Sequence, residues 1–310
     1  MGTPEFSVPA LRSVASRCDV VLVVTQPDRP RGRGLQSAAS AVAVVAAELG
    51  VSVLKPADMK APEVREQLAA VGADLFAVVA FGAILTPEVL ALPKQGCINL
   101  HGSLLPEYRG ASPVQRALWD GLNESGVTTI FMDAGIDTGD IVLTARTAIH
   151  DNDDAATLAT RLAELGGPLL AESLVMAHEG RAPRQRQDRA AGSYAKKLKK
   201  ADGAVDWSLP ARTVWNRARA VTPWPGATAG YQGKRVLLQQ TEPMSAVPGG
   251  TPGEVLSVDA DGIRVSCGEG ALLLKRLKPE GRAGLSAADW ARGARLHPGE
   301  RFEHGKELLS

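Results

Sequence analysis

The sequence predicts an α/β fold with a mostly parallel sheet, followed by a second, smaller β-rich domain. Apolar runs alternate with helix-like stretches through the first half of the chain, which is typical of a parallel sheet covered by helices on both faces. Past residue 203, five short strand-like runs are broken by Gly, Asp and Pro, a pattern typical of a small OB-like barrel. We therefore expect a first domain over residues 1–183, a linker over 184–202 and an OB-like domain over 203–310.

The predicted elements follow in chain order. Strands of the first domain are expected at 19–25, 51–54, 75–80 and 98–100, and helices at 8–16, 40–49, 61–70 and 112–122. A strand pair at 128–133 and 141–147 and a long helix at 155–179 complete that domain. The second domain begins with a helix at 210–220, and its strands are expected at 227–231, 234–240, 253–259, 262–267 and 271–277.

The composition is that of a globular protein with enough residues for two domains: 310 residues, 45% hydrophobic and 22% charged, with a formal net charge of +1. No apolar run reaches the roughly 20 residues of a membrane helix. Three widely spaced cysteines suggest neither a disulfide framework nor a metal cluster. We expect a cytoplasmic protein without a bound metal.

Charge is distributed unevenly along the chain. Residues 191–310 contain 18 Lys and Arg against 12 Asp and Glu. An excess of basic residues in the second part is compatible with a polyanionic partner, and equally with ordinary solubilising charge.

Candidate catalytic groups converge at the end of one predicted strand. Asn99 and His101 are two residues apart, so in an extended segment their side chains point to the same side. Asp137 lies in a turn bracketed by Gly135 and Gly139. Amide, imidazole and carboxylate together indicate proton transfer on a carbonyl group, although the amide could also cap a strand end and the carboxylate could simply form the turn.

Five sequence strings identify a resemblance to a known family. They are GTPEF at 2–6, TQPDRPRGRG at 25–34, INLHGSLLPEYRGASPVQRAL at 98–118, MDAGIDTGDI at 132–141 and WPGA at 224–227. Together they resemble the methionyl-tRNA formyltransferases, within the superfamily that includes glycinamide-ribonucleotide transformylase. The resemblance implies a Rossmann-like catalytic domain, an OB-like C-terminal domain, and formyl transfer from 10-formyltetrahydrofolate to methionine on the initiator tRNA.

The resemblance also implies roles for individual residues. Asn99, His101 and Asp137 would be catalytic. Of the two carboxylates in that turn, Asp140 is expected to be the structural one. The residues expected near the folate are Phe81, Gly82, Ile84, Ser103, Leu104, Leu105, Pro106, Asp133 and Gly135. The residues expected to contact tRNA are Arg31, Arg33, Lys196, Lys197, Lys199 and Lys200. The expected partners are the initiator methionyl-tRNA and folate, with no membrane, and the chain is expected to be monomeric.

The chain departs from the family pattern at its amino end. Relatives carry a short apolar strand before GTPEF, whereas this sequence begins with Met1. We expect the sheet to lack this central strand, because of a start assigned too late or a shortened chain. In addition, Leu35 to Ala41 stand where relatives commonly carry lysines and prolines, which weakens the expected loop contacts to tRNA.

Other functions compete with this interpretation. Formyltransferases that act on a purine precursor or a nucleotide sugar, and the hydrolase part of a formylfolate dehydrogenase, share the catalytic motif. The basic second domain and the Arg-rich loop favour a tRNA substrate. A nucleotide-binding oxidoreductase is disfavoured because no GxGxxG motif follows a strand, and a non-catalytic RNA-binding protein would have no use for the three polar groups.

Overall fold

The computed structural model describes residues 1–31, 36–188, 190–245 and 250–308. Two compact units are present. Unit 1 consists of Met1–Pro113, Glu124–Ala148 and Ala159–Ala195, and unit 2 of Val114–Asn123, Ile149–Leu158 and Lys196–Ser310.

Every element predicted for the first 195 residues is present. The helices are α1 Val8–Ala15, α2 Ala41–Glu48, α3 Pro62–Val71, α4 Pro87–Leu90, α5 Pro113–Trp119 and α6 Ala155–His178. The strands are β1 Val23–Val24, β2 Arg29–Arg31, β3 Gln36–Ala38, β4 Val53–Leu54, β5 Phe76–Val79, β6 Cys97–His101, β7 Arg109–Gly110, β8 Glu124–Phe131, β9 Ile141–Ala148 and β10 Tyr194–Ala195. The structure thus adds helix α4 and the short strands β2, β3, β7 and β10 to the predicted elements.

Local chemistry explains several helix ends in unit 1. Helix α2 follows Ser40, whose hydroxyl accepts a hydrogen bond from the Ala43 N–H at 3.1 Å, the usual way to satisfy a free amide at a helix start. Helix α3 begins with Pro62 and ends at Gly72, which has a positive φ of 64°. These signals are readable from the sequence, and the predicted helix positions match the observed ones within a few residues.

The sheet of unit 1 consists of a parallel part and an antiparallel part. β1 pairs with β4 and β5 with β6, both in parallel, whereas β6 pairs with β8 and β8 with β9 in antiparallel fashion. The prediction of an α/β fold that contains a parallel sheet is confirmed, but the sheet is mixed rather than mostly parallel. Its second half is antiparallel because β8 and β9 are joined by a turn too short for a crossover helix.

Met1 and Gly2 lie between β1 and β5. The Gly2 N–H donates to the Val24 carbonyl at 3.0 Å, and the Val79 N–H donates to the Met1 carbonyl at 2.9 Å. The Met1 amino group donates to the Ala77 carbonyl at 2.6 Å. Within the part of the chain that the structure describes, this two-residue bridge joins the β1–β4 pair to the β5–β6–β8–β9 sheet.

A cavity of about 580 Å³ adjoins this bridge. Residues 20–24 and 71–77 line it on the two sides of the interrupted sheet, and Leu170 and Leu174 of α6 contribute to its wall. The side chains are mostly apolar. Asn99, His101 and Asp137 are not among the lining residues, so this cavity is separate from the polar groups singled out by sequence.

Unit 2 is built on an antiparallel sheet. Its strands are β11 Ala227–Tyr231, β12 Lys234–Met244, β13 Val255–Asp259, β14 Gly262–Ser266, β15 Ala271–Pro279 and β16 Leu285–Ser286, and its further helices are α7 Ala211–Ala220 and α8 Ala287–Ala294. The strand order is β11-β12-β15-β14-β13, with β16 on β15. The core between sheet and helices includes Trp207, Ile263, Leu274 and Phe302, all fully buried.

The predicted OB-like barrel is not confirmed, because the end strands β11 and β13 are not paired with each other in the described residues. The segment after α8 forms backbone hydrogen bonds beside each of these two end strands. The Glu303 N–H donates to the Gly230 carbonyl at 2.9 Å, and the Phe302 N–H to the Gly253 carbonyl at 2.8 Å. These bonds satisfy part of two edges that would otherwise be exposed.

No helix in the described ranges is both long and apolar enough to span a bilayer.

The position of the Met1 amino group predicts a pH-dependent stability. Burial lowers the pKa of this group from 8.0 to about 6, so the unfolded chain binds more protons than the folded chain between pH 6 and pH 8. The free energy of unfolding should therefore rise as the pH rises through this window, by up to about 3 kcal/mol. Denaturant unfolding of the chain with a free Met1 amino group, at several pH values, measures the effect.

The control for this prediction is the same chain acetylated at Met1. Acetylation removes the titrating group, so the rise between pH 6 and pH 8 should disappear. An identical rise in both forms would contradict the assignment to the amino terminus.

Candidate active site

Strand β6 lies between β5 and β8 and presents two polar side chains on one side. Asn99 is opposite Val78 on β5 and Ile130 on β8, and His101 is opposite Thr128 on β8. The intervening Leu100 points the other way and is buried. The two-residue spacing therefore places the amide and the imidazole next to each other, as the sequence predicts.

The turn between β8 and β9 is shaped by its own polar and glycine residues. Asp133 Oδ1 accepts hydrogen bonds from the Gly135 N–H at 2.9 Å and from the Thr138 hydroxyl at 2.7 Å. A Cβ at Gly139 would lie 1.7 Å from the Phe131 carbonyl oxygen, so this position requires glycine. Asp137 has a positive φ of 53°, which a non-glycine residue adopts at a cost.

The three predicted catalytic residues meet at the Asp137 carboxylate. Asp137 Oδ2 lies 3.5 Å from His101 Nδ1, and Oδ1 lies 3.5 Å from the Asn99 amide nitrogen. A shorter bond fixes the carboxylate, because the Gly110 N–H donates to Oδ2 at 2.8 Å. On the other side of the imidazole, His101 Nε2 lies 2.9 Å from the Tyr108 carbonyl oxygen.

These contacts assign hydrogens on the imidazole. A carbonyl oxygen accepts hydrogen bonds and cannot donate, so the Nε2 of His101 carries the hydrogen that bonds Tyr108. Nδ1 then faces the carboxylate, at a distance too long for a strong hydrogen bond. His101 is 6% exposed, and the Asp137 side chain 17%. The arrangement can move a proton between Nδ1, the carboxylate and a molecule placed beside them.

Two of the residues expected to contact folate are held in the turn that follows β6. The buried Ser103 hydroxyl donates to the Glu107 carbonyl at 2.6 Å, and the Thr128 hydroxyl donates to the Ser103 carbonyl at 2.7 Å. Leu105 is buried with Ile130 and Ile141. These side chains fix the shape of the turn.

The other residues expected near folate differ in exposure. Leu104 and Pro106 are half-buried, Phe81 packs in the core behind β5, and Ile84 is 81% exposed. Gly82 has a positive φ of 81°. Asp133 and Gly135 belong to the same turn as Asp137.

The residues expected to contact tRNA are only partly described. Arg31 belongs to β2, paired with β3 through backbone, and Arg33 lies outside the described residues. The four lysines of unit 2 are all exposed: Lys196, Lys197, Lys199 and Lys200. Their ammonium groups are available to phosphates.

Sequence reasoning missed the groups that hold His101 and Asp137 in place. The Gly110 N–H, the Tyr108 carbonyl and the side chain of Gln187 all belong to segments predicted as loop or linker. The Gln187 amide donates to the carbonyls of Asp137 at 2.9 Å and Gly139 at 2.7 Å. No periodicity marks these positions. Tyr108 and Gly110 lie within the string at 98–118, but that string does not show which backbone groups will be used, and Gln187 lies in a polar run.

No group of three or more His, Cys, Asp and Glu side chains in the described segments is arranged to hold a metal ion.

Comparison with known proteins gives two family matches that together cover most of the chain. The family described as formyl transferase matches residues 5–174, and the formyl transferase C-terminal domain matches residues 197–295. The first match alone covers more than half of the chain and contains Asn99, His101 and Asp137.

Solved structures show the same fold at low sequence identity. An N-formyltransferase from Helicobacter canadensis, in complex with folinic acid and dTDP-3-aminofucose, is similar with a TM-score of 0.65 and 17% identity, over 88% of this chain and 96% of that one. HypX from Aquifex aeolicus, in complex with tetrahydrofolic acid, has a TM-score of 0.61 and 20% identity, over 90% of this chain and 48% of that one.

Curated relatives are far closer in sequence. The methionyl-tRNA formyltransferase of Citrifermentans bemidjiense is 46% identical over 96% of this chain and 94% of its own length. That of Geobacter metallireducens is 45% identical over 98% of this chain and 97% of its own. With both domains matched and relatives aligned over nearly their full lengths, the chain belongs to the methionyl-tRNA formyltransferase family.

Proposed function

We propose that this chain transfers the formyl group of 10-formyltetrahydrofolate to the α-amino group of methionine on initiator methionyl-tRNA, using Asn99, His101 and Asp137. The observation that carries the catalytic assignment is the convergence of an amide and an imidazole on one carboxylate, each within 3.5 Å. The family supplies the reaction, and the geometry supports these three residues as the groups that perform it.

The reaction begins when the neutral amine of methionine attacks the formyl carbon. A bond forms between the amine nitrogen and that carbon, and the carbonyl oxygen gains negative charge. The Asn99 amide donates to this oxygen, and a proton on His101 Nδ1 stabilises it further. Because Nε2 is bonded to the Tyr108 carbonyl, Nδ1 is the nitrogen that serves the substrate.

The second stage removes the folate. Asp137 accepts a proton from the attacking nitrogen, directly or through one water molecule, so that this nitrogen is neutral in the tetrahedral intermediate and becomes an amide nitrogen when the carbonyl re-forms in the next step. The bond between the formyl carbon and N10 of the folate then breaks, and N10 takes a proton relayed from Asp137 or His101. The products are formylmethionyl-tRNA and tetrahydrofolate, and protons and electrons balance without a metal.

The folate would lie along two loops beside the catalytic groups, one at residues 80–85 and the other at residues 133–140. Exposed Ile84 offers apolar surface to the flat pterin, and backbone groups of the two loops offer hydrogen bonds. The expected contacts comprise Phe81, Gly82, Ile84, Ser103, Leu104, Leu105, Pro106, Asp133 and Gly135. For buried Phe81, Ser103 and Leu105, the contribution is to loop shape and backbone position.

The tRNA would be bound largely through phosphates. Arg31 and Arg33 are proposed contacts from the Arg-rich loop, and the lysine cluster Lys196, Lys197, Lys199 and Lys200 from the start of unit 2. We further propose that residues 203–310 form an OB-like tRNA-binding domain after a catalytic domain of residues 1–183. The enzyme would act as a monomer in the cytoplasm, where charged initiator tRNA is present.

Formylation of charged initiator tRNA with 10-formyltetrahydrofolate tests the function. Charged elongator tRNA, an amino-sugar nucleotide and a purine-precursor amine serve as competing acceptors. We expect transfer to the initiator tRNA to exceed transfer to every other acceptor. Preferred transfer to a small amine would reject the tRNA assignment.

Replacing His101 tests the catalytic assignment. The His101→Ala variant should lose about 10²- to 10⁴-fold in kcat, the usual contribution of a general acid or base, while its affinity for folate stays close to that of the unmodified chain. Single-turnover rates and folate titration separate the two effects. His178→Ala is the control, since His178 is an exposed histidine at the end of α6; a near-normal kcat for His101→Ala would exclude the proposed role.

Replacing two lysines tests the phosphate contacts. Lys196→Ala with Lys197→Ala should raise the KM for tRNA and reduce its dependence on salt, because fewer counterions are released on binding. Lys60→Ala with Lys94→Ala removes the same charge from exposed positions of unit 1. This control should change neither the KM for tRNA nor its dependence on salt. If the two pairs of substitutions had equal effects, net charge alone would explain the result.

A further inference from the structure

Gln187 uses every hydrogen-bonding group of its side chain beside the candidate active site. Its Oε1 accepts from Arg109 Nε at 3.2 Å and from Nη2 at 2.9 Å. Its Nε2 donates to the Asp137 carbonyl at 2.9 Å and to the Gly139 carbonyl at 2.7 Å. A glutamine amide has two donor hydrogens and two acceptor lone pairs, so this one is fully satisfied.

Arg109 fixes the orientation of that amide. The guanidinium is planar and only donates, so its contact with Oε1 determines which end of the glutamine faces the Asp137 turn. Arg109 is 7% exposed, and its Nη2 also donates to the Asp188 carbonyl at 3.1 Å. A buried guanidinium held at several points is a rigid support for the amide.

The amide in turn holds the backbone around Asp137. The positive φ of Asp137 is disfavoured for a residue with a side chain, so external bonds are needed to keep it populated. Gln187 binds the carbonyl of this residue and the carbonyl two residues later. The carboxylate itself is fixed by the N–H of Gly110, the neighbour of Arg109. Backbone and carboxylate of Asp137 are thus tied to the same short strand, β7.

We propose that Gln187 is a positioning residue, which holds the Asp137 turn so that the carboxylate faces His101 and Asn99. The inference rests on the proposed catalytic role of Asp137 and adds to it a residue from the segment after α6. Gln187 acts on the turn backbone and does not touch the reacting atoms. Its effect should therefore appear in the rate of the chemical step more than in substrate binding.

The neighbouring Gln185 provides a matched control. Its backbone exchanges two hydrogen bonds with Ile141, at 2.8 and 3.0 Å, which attach this segment to β9. Its side chain is exposed. Gln185→Ala keeps the backbone bonds and removes an amide of the same kind, so it should leave activity unchanged.

Two variants of Gln187 distinguish its donors from its acceptors. Gln187→Ala removes both, whereas Gln187→Glu keeps oxygens for Arg109 and loses the donors to the turn. Each should lower kcat by about 10- to 100-fold, the range usual for residues that orient a reacting group, with the KM values for folate and tRNA changed less than about threefold. A Gln187→Glu variant with normal kcat would overturn the proposal, because the donors would then be dispensable.

A double-variant comparison tests whether Gln187 acts through Asp137. Once Asp137→Asn has removed the proton acceptor, adding Gln187→Ala should cause little further loss, since residues that act as a unit are strongly non-additive. If the double variant showed the product of the two single losses in kcat, the proposal would be overturned. A normal rate for Asp137→Asn alone would overturn both this inference and the catalytic role of Asp137. Failure of the unmodified chain to formylate initiator tRNA would instead reject the proposed function itself.

Hydrogen exchange provides a readout that needs no activity. In Gln187→Ala, amide exchange should accelerate in the peptide covering residues 133–140 and stay unchanged in β5, which has no contact with this amide. The same comparison in Gln185→Ala should show no acceleration. Unchanged exchange over residues 133–140 in Gln187→Ala would overturn the positioning role whatever reaction the chain catalyses.

Discussion

The arrangement of the three candidate catalytic groups depends on the pairing of β6 with β5 on one side and β8 on the other. This pairing makes β6 an internal strand, so its register is fixed along both edges and a shift by one residue would turn Asn99 and His101 into the opposite face. β8 also leads directly into the turn that carries Asp137. One strand pair therefore places all three groups on the same side of the sheet.

The Asp137 turn shows how a position that is unfavourable by itself becomes fixed. Its glycine at 139 allows the close approach to Phe131, and Asp133 closes the turn from within. Asp137 has a positive φ that neither feature requires, and long-range bonds from Gly110 and Gln187 hold it there. The cost of the strained backbone is offset by bonds that come from residues 27 and 50 positions away in sequence, as is common where a reacting group must be presented in one geometry.

The contacts that join the two parts of the unit 1 sheet are different from those that hold the candidate active site. Met1 and Gly2 bridge β1 and β5 through backbone bonds, and the adjoining cavity lies away from His101. Strand β6, which carries Asn99 and His101, keeps both of its neighbours and does not depend on this bridge for its register. Changes at the bridge should thus act on stability before they act on chemistry.

The sequence by itself determined most of the longer helices and strands of both units, the adjacency of Asn99 and His101, and the turn at Asp137. It did not predict helices α4 and α8 or the short strands β2, β3, β7, β10 and β16. The predicted features follow from local rules: period-two side-chain alternation, glycine and proline at turns, and caps at helix ends. Only the tertiary structure decided that β6 and β8 run antiparallel, that the end strands of the unit 2 sheet do not pair with each other in the described residues, and that Tyr108, Gly110 and Gln187 surround the candidate catalytic groups. Such contacts join backbone groups to distant segments, and since every residue carries the same backbone donors and acceptors, no local pattern in the sequence marks which of them will be used.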